Sequence, residues 1–264
     1  MSAKKPRVLI VGGGRVGRSF ARALRRARYP MRLSAHGTPK PFDGELLLLT
    51  VPDRAIAETC DAWAPKLGTS TLVVHTSGAL GLDVLHGAKT RGLHTGSLHP
   101  LLAVASRDTE LRGTWAAVDG APRDRALLRR LATDIGMRAF DVPPSDRVRY
   151  HLGAVMAANS QAPLLEAAVA QLRAAGLPNA DARAALAHLA RSAIAAWAER
   201  GGPEGLTGPV ARGDAATVAR HLGVLSKGTA RELYLSLSRA ALELAGKRKP
   251  RPEGLAALGR MLRR

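Results

Sequence analysis

Two patterns of apolar and polar residues divide this chain. Up to about residue 142, short apolar runs alternate with stretches in which apolar residues recur every three or four positions. The runs fall at 7–11, 31–35, 45–51, 71–75, 92–98, 115–118 and 137–142, each of strand length. Between them, 16–28 puts Phe20, Ala23, Leu24 and Ala27 at helical spacing, and 54–63, 82–89 and 124–135 also read as helices. The Leu46-Leu47-Leu48-Leu49 run is apolar at every position, as expected of a strand buried on both faces. Strands strung with helices in this way predict right-handed βαβ units and a parallel sheet.

After Pro143-Pro144 the strand period is lost. Residues 145–176 read as one long helix, capped by Ser145 and stopped by Gly176 and Pro178. A second helix starts with Asn179 as its cap and runs to about Arg200, before a glycine-rich link at 201–205. Asp214 is placed to cap a helix reaching about Leu225. Thr229-Ala230-Arg231-Glu232 has the form of a capping box, opening a helix that stops at Gly246. No strand is expected after Val142. The expected fold class is therefore α/β: a doubly wound parallel sheet over 1–143, then an all-α domain over 144–264 for substrate binding and dimerisation.

The first strand runs into Gly12-Gly13-Gly14-Arg15-Val16-Gly17 and then a helix. Gly12, Gly14 and Gly17 form G-x-G-x-x-G. The first glycine permits the tight turn, the second lets the backbone approach a pyrophosphate, and the third lets the helix pack on the strand. Free N–H groups and the positive helix end then face the phosphates. This strand–turn–helix context is what gives the motif its weight, and it points to a Rossmann-like dinucleotide site. The usual ribose-binding acid, about 20 residues on, is missing. Ser34, Ala35 and His36 stand there, with Arg15, Arg32 and Lys40 near in sequence. This favours NADP(H) over NAD(H). A deazaflavin is a further carrier that such a sheet suits.

The 264 residues carry a formal charge of +19, which raises the question of nucleic acid. The basic residues are spread along the whole chain, and the one cluster, Lys247-Arg248-Lys249-Pro250-Arg251, has no interleaved aromatics to stack on bases. A solvated basic surface that steers anionic metabolites is the simpler account. Cys60 is the only cysteine, so no intramolecular disulfide and no structural zinc cluster is expected. No apolar run approaches the roughly 20 residues that span a bilayer. No membrane association and a cytoplasmic location follow as expectations.

In an open parallel sheet, ligands sit beyond the carboxyl ends of the strands. Thr50-Val51-Pro52-Asp53, His75-Thr76-Ser77-Gly78-Ala79 and His99-Pro100 all fall at such ends, and Tyr150-His151 opens the first long helix. Asn159 lies eight residues after His151, about 80° away around a helix axis. These motifs, with Leu206-Thr207-Gly208-Pro209-Val210-Ala211-Arg212-Gly213-Asp214, resemble one uncharacterised family that pairs a Rossmann-like domain with a helical C-terminal domain of unknown function. The resemblance covers nearly the whole chain, and 206–214 is its most specific part. The family is similar to ketopantoate reductases, pyrroline-5-carboxylate reductases and 3-hydroxyacid dehydrogenases. It implies a cofactor cleft between the domains and a homodimer built on the helical half. One departure stands out. Ketopantoate reductases and hydroxyacid dehydrogenases carry Lys-x-x-x-Asn on the corresponding helix, and this chain has no lysine from 141 to 226.

The reading that follows is an NADP(H)-dependent oxidoreductase that reduces a small anionic keto or imino acid by hydride transfer in an interdomain cleft. Gly12, Gly13, Gly14, Arg15, Val16, Gly17, Ser34, Val51, Pro52 and Ser77 are the cofactor-binding candidates. His151 is the candidate proton donor, Asn159 orients substrate, and Ser77 and His99 hold a carboxylate or polarise the acceptor. Arg212 is the substrate-binding candidate. Each also has a structural reading: His151 bonded to backbone at a helix start, His99-Pro100 and Ser77-Gly78 as turns, Asn159 bridging helices, Arg212 in a structural loop. The alternative functions are a non-catalytic dinucleotide-binding or scaffold protein and a basic nucleic-acid-binding protein. His188 and His221 have no partners at ligand spacing, so no metal is expected.

Overall fold

The computed structural model describes residues 4–35 and 38–263. Seven strands form one sheet: β1 (Val8–Val11), β2 (Met31–Ser34), β3 (Leu46–Leu49), β4 (Leu72–His75), β5 (His94–Leu101), β6 (Trp115–Gly120) and β7 (Arg138–Asp141). Their order is β2-β1-β3-β4-β5-β6-β7. The first five are parallel. β6 pairs antiparallel with β5, and β7 lies parallel to β6. The fully parallel sheet expected from the alternation is thus corrected at β5/β6. The reason is the 102–114 connection, which returns the chain without a crossover helix.

Four helices belong with the sheet's crossovers: α1 (Arg15–Arg26), α2 (Ile56–Trp63), α3 (His86–Lys89) and α4 (Pro122–Asp134). The strands alternate their side chains between two apolar layers. Val8, Ile10, Leu46, Leu48, Leu72 and Val74 pack with Phe20 and Leu24 of α1 and Leu128 and Leu131 of α4. Leu9, Val11, Leu47, Leu49 and Val73 pack with Ile56, Cys60 and Trp63 of α2 and Ala88 of α3. The four-leucine run is therefore divided evenly, two to each face, and all four are fully buried. Cys60 is a buried core residue.

The expected long helix over 145–176 is two helices, α5 (Arg147–Ala158) and α6 (Gln161–Ala174). Pro163 explains the break. Its missing N–H cannot donate to the carbonyl of Asn159, and proline is tolerated only in the first turn of the new helix. Ser145 does not cap α5: its N-cap is Asp146, with no side-chain bond. The chain divides into two compact units, 1–159 and 160–264, so α5 groups with the sheet.

The second unit consists of α6, α7 (Asn179–Arg200), α8 (Gly202–Gly205), α9 (Gly208–Arg212), α10 (Ala215–Val224), α11 (Thr229–Ala245) and α12 (Leu255–Met261). Val210, Val218, Ala245, Leu255, Leu258 and Leu262 form its core. Asp214 caps α10 as expected, accepting from Thr217 N at 2.9 Å. Neither Asn179 nor Thr229 is a cap. α7 starts after Pro178, and α11 after Gly228, whose φ of +137° does the turning without a side-chain bond. The basic cluster at 247–251 is partly structural. Arg248 donates to the carbonyls of Pro203 (2.7 Å), Leu206 (2.8 Å), Glu204 (3.2 Å) and Ala211 (3.3 Å). Among the described residues, no helix is long and apolar enough to cross a membrane.

Candidate functional site

The glycine turn takes the form its spacing predicts. Gly12 has φ +117°, a conformation that favours glycine, and a Cβ there would lie 2.7 Å from Thr50 O. A Cβ on Gly17 would lie 2.0 Å from Gly12 O and 2.5 Å from Thr50 Oγ1, so only glycine lets α1 approach the strand. Thr50 Oγ1 donates to this turn, 2.9 Å from Gly12 O and 3.1 Å from Val11 O. Gly14, the N-cap of α1, has nothing within 4 Å of an added Cβ. Its backbone therefore stands open beside the unsatisfied first N–H groups of α1. That opening suits the phosphates of a dinucleotide.

Arg15, the first residue of α1, lines a cavity of about 680 Å³ that also takes in His99, Tyr150, His151 and Asn159. The remaining walls are apolar, from Leu101, Leu102 and Val104 on one side and Ala154 and Ala158 of α5 on the other. His99 reaches the cavity because β5 does not end at Leu98, as its apolar run suggested. It continues four residues past its last pair with β4, His75↔Ser97, supported there only by β6. Pro100 sits in this overhang, where the β4 side has no ladder to interrupt.

Around the cavity the titratable groups are closely packed. Tyr150 Oη and His99 Nδ1 share a hydrogen bond of 2.6 Å. The rings of His99 and His151 meet edge-on with centroids 6.4 Å apart, and Phe140 packs edge-on against Tyr150. Gly78 lies against both imidazoles. A Cβ there would be 2.7 Å from His99 Cε1 and 2.9 Å from His151 Cδ2. Burial, with the nearby His151 and Arg147, holds the His99 imidazolium down to a pKa of about 4. Burial raises the Tyr150 hydroxyl to about 12.

Behind this layer is a buried cation that sequence reasoning missed. Arg147, 2% exposed, donates to Ser77 O at 3.3 Å and to Ser97 Oγ, and pairs with Asp119 at 3.5 Å. The first turn of α5 is thereby pinned to the segments after β4, within β5 and within β6. This is why α5 groups with the sheet. His75, fully buried, accepts from Ser77 N at 3.2 Å, and burial followed by the charge of Arg147 lowers its pKa to about 4. Arg147 resembles its neighbour Arg149 in composition. The available signals were its place one turn before Tyr150-His151 on the same helix face, and Asp119 closing an otherwise apolar strand.

Of the other candidates, Ser77 is committed to its turn. Its hydroxyl donates to Asp53 Oδ2 at 2.7 Å and accepts from Ala79 N and Leu80 N. Gly13 packs on Ala35, and Val16 packs on the sheet core. Ser34 is the last residue of β2 and half-buried; Val51 packs on the α2 layer, and Pro52 is exposed at the turn before α2. Arg32 and Lys40 are exposed, and His36 lies outside the described residues. Arg212 belongs to the second unit, exposed at the end of α9. Thr217's hydroxyl and N–H, with Arg220 and Arg212, hold the Asp214 carboxyl below its ordinary range. Arg212 and the His99 cavity thus fall in different units. Among the described residues, no group of three or more His, Cys, Asp or Glu could hold a metal ion.

Comparison with known proteins agrees with this architecture. Residues 114–241 match a domain of unknown function, DUF2520, and residues 38–100 match a Rossmann-like domain. No curated protein sequence matches the chain. Among solved structures, a Bacteroides fragilis protein named as a candidate NADP oxidoreductase superposes with a TM-score of 0.74 at 21% identity, over 90% of this chain and 98% of that one. A Thermotoga maritima protein gives 0.70 at 22%, over 90% and 97%. A 1-pyrroline-5-carboxylate reductase from Streptococcus pyogenes gives 0.55 at 15%, over 90% and 92%. At these identities the likeness establishes the fold.

Proposed function

From a chain that carries a Rossmann-like domain and a DUF2520 helical domain, we propose an NADP(H)-dependent oxidoreductase that reduces a small anionic keto or imino acid. One observation carries the reading. Arg15 is at once the first residue of the helix that follows the glycine turn and part of the cavity wall that holds His99, Tyr150, His151 and Asn159. A dinucleotide seated on the glycine turn and a substrate facing the titratable cluster would share one cavity. The structural neighbours named for NADP oxidoreductase and pyrroline-5-carboxylate reductase activity support this reading through their common fold.

When bound, the nicotinamide would supply a hydride; this chain's residues do the rest. Gly14 and the first N–H groups of α1 bind phosphate. The apolar walls from Leu102, Ala154 and Ala158 exclude water from the reacting carbon. Arg15 offers a cation to a substrate carboxylate or to pyrophosphate. His151 holds a proton for the acceptor heteroatom, Asn159 orients the acceptor, and His99 fixes Tyr150 through their shared hydrogen bond. The helical half serves as the surface for a second copy. α7 supports this, since among its 22 residues only Ala182 is buried, while Leu189, Ile194 and Trp197 are all more than half exposed. Light scattering that returned a monomer would exclude the dimer.

The test has two stages. NADPH titration, followed by cofactor fluorescence, should show saturable binding; DNA binding with a steep salt slope and no dinucleotide affinity would overturn the reading. A screen of keto acids and cyclic imines with NADPH should then give turnover. Binding without any turnover across the screen would favour a non-catalytic dinucleotide-binding protein.

A further inference from the structure

The arginines of α1 fall into two groups. Arg15 lines the His99 cavity and donates to Ala105 O at 3.3 Å. Arg18 instead lies along the glycine turn, its Nε donating to Gly13 O at 3.0 Å. It lines a separate pocket of about 330 Å³ with Arg22, Arg25, Arg107 and Leu33 of β2. Gly13 packs directly on Ala35, the residue that follows β2. A Cβ built on Gly13 would be 2.6 Å from the Cβ of Ala35. Arg18 is therefore tied to the place where the glycine turn meets the carboxyl end of β2. In a dinucleotide site that place belongs to the adenosine ribose, whose 2′-hydroxyl an acid at the end of β2 would hold. β2 ends in Ser34 and offers no acid.

The charge balance points the same way. Four guanidinium groups line this pocket against a single carboxylate, Asp108, which is already paired with Arg22 at 3.0 Å. The first turn of α1 has no acidic residue. Arg15 and Arg18 thus add positive charge to the positive end of the helix dipole, which is unfavourable until an anion arrives. A pyrophosphate on the turn meets part of that demand. A phosphomonoester at the ribose meets the part centred on Arg18.

Resting on the reading of the glycine turn as a dinucleotide site, we propose that Arg18 reads the 2′-phosphate and makes the site selective for NADP(H) over NAD(H). Arg25 and Arg107 reinforce the field, and Arg15 does not take part, because it faces the other cavity.

The experiment is calorimetric titration of the full chain with NADP⁺, NAD⁺, 2′,5′-ADP, ADP and inorganic phosphate. Wild type should bind NADP⁺ and 2′,5′-ADP at least about tenfold more tightly than NAD⁺ and ADP, as expected for one charge-assisted contact. Arg18→Ala should abolish that preference, weakening NADP⁺ by about ten- to a hundredfold and leaving NAD⁺ within about twofold. Arg18→Lys should recover part of it, and Arg25→Ala and Arg107→Ala should each remove a smaller share. Equal weakening of NAD⁺ and NADP⁺ by Arg18→Ala would make Arg18 a support of the turn and overturn the proposal. So would wild-type binding of both dinucleotides without preference, or inorganic phosphate binding as tightly as 2′,5′-ADP. Binding of neither dinucleotide would instead refute the reading of the glycine turn itself.

Discussion

Substituting alanine at Gly14 and at Gly17 separates the binding role of the turn from its packing role. At Gly17 the added methyl would lie 2.0 Å from Gly12 O and 2.5 Å from Thr50 Oγ1. The first is backbone, in a residue whose φ of +117° leaves little room to adjust. Moving it strains the 2.9 Å bond from Thr50 Oγ1. Overpacking of this kind costs about 1–3 kcal/mol, and a disrupted buried hydrogen bond adds about 1 kcal/mol. Gly17→Ala should therefore destabilise the sheet unit by about 3 kcal/mol. At Gly14 the backbone has φ −70° and ψ −171°, which any residue adopts, and the added methyl meets nothing within 4 Å. Its stability cost should stay below about 1 kcal/mol, the scale of a weakened N-cap. The methyl would nevertheless fill the open space at the proposed phosphate site, so NADPH affinity should fall by at least about tenfold, roughly 1.4 kcal/mol. Urea unfolding followed by tryptophan fluorescence measures the first effect, since Trp63 is buried in the sheet unit. NADPH titration measures the second. Wild-type NADPH affinity in Gly14→Ala would show that phosphate does not sit at this backbone. Wild-type stability in Gly17→Ala would refute the packing argument.

Other substitutions test the layers behind the cavity. Arg147→Met leaves Asp119 as an uncompensated buried carboxylate and should lower stability by about 3–5 kcal/mol. Arg147→Met combined with Asp119→Leu should recover much of that loss in the same urea assay, and no recovery would mean the ion pair is not the cause. Arg248→Ala removes a cation that bridges four carbonyls and should destabilise the helical unit by about 2–3 kcal/mol, read through Trp197. Gly78→Ala should displace the His99 and His151 rings, seen as shifted imidazole NMR signals, while leaving NADPH affinity unchanged.

How far the sequence could be read depended on where the information lay. β1 and β3 and the glycine turn were legible because each depends on residues adjacent in the chain. A four-leucine run buried on both faces and three spaced glycines need no distant partner to be recognised. The antiparallel β6 was not legible, because its direction depends on the length and course of the 102–114 segment rather than on its own apolar residues. That segment is tied to α1 through Arg22 with Asp108 and Arg26 with Glu110, pairs separated by most of the sheet unit. The break between α5 and α6 was available in principle, since Pro163 follows Asn159 by four residues. It was hidden by the continuous alanine-rich period on either side. At the site, His99, His151 and Asn159 were chosen for their chemistry and do share a cavity. Ser77 was chosen on the same grounds, yet its hydroxyl is taken up by Asp53 and the turn. Arg147 escaped because burial, rather than residue type, sets it apart from the other arginines.

The buried Arg147 also bears on the protonation of the two imidazoles beside it. Loss of solvent, followed by the Arg147 charge at His75 and by the His151 and Arg147 charges at His99, lowers both rings to a pKa of about 4, against an ordinary value of about 6.5. Both rings are therefore neutral in the fold at neutral pH, and His99 acts as a hydrogen-bond partner of Tyr150 rather than as an acid. The sign of the linkage follows. Between about pH 6.5 and pH 4 the unfolded chain binds protons that the folded chain refuses, so stability falls as the pH falls through that window and levels off below it. By pH 5 the loss is on the order of 2 kcal/mol for each ring. The urea midpoint should drop accordingly between pH 7.5 and pH 5, and His99→Gln should flatten about half of the drop. NMR titration of the imidazole C–H signals gives the direct reading. A His99 signal that titrates near 4 would keep His99 as the hydrogen-bond partner of Tyr150 and leave the proposed proton-donor role to His151. A His99 signal that titrates between 6 and 7 would remove the electrostatic basis for that assignment and return His99 to the role of acid.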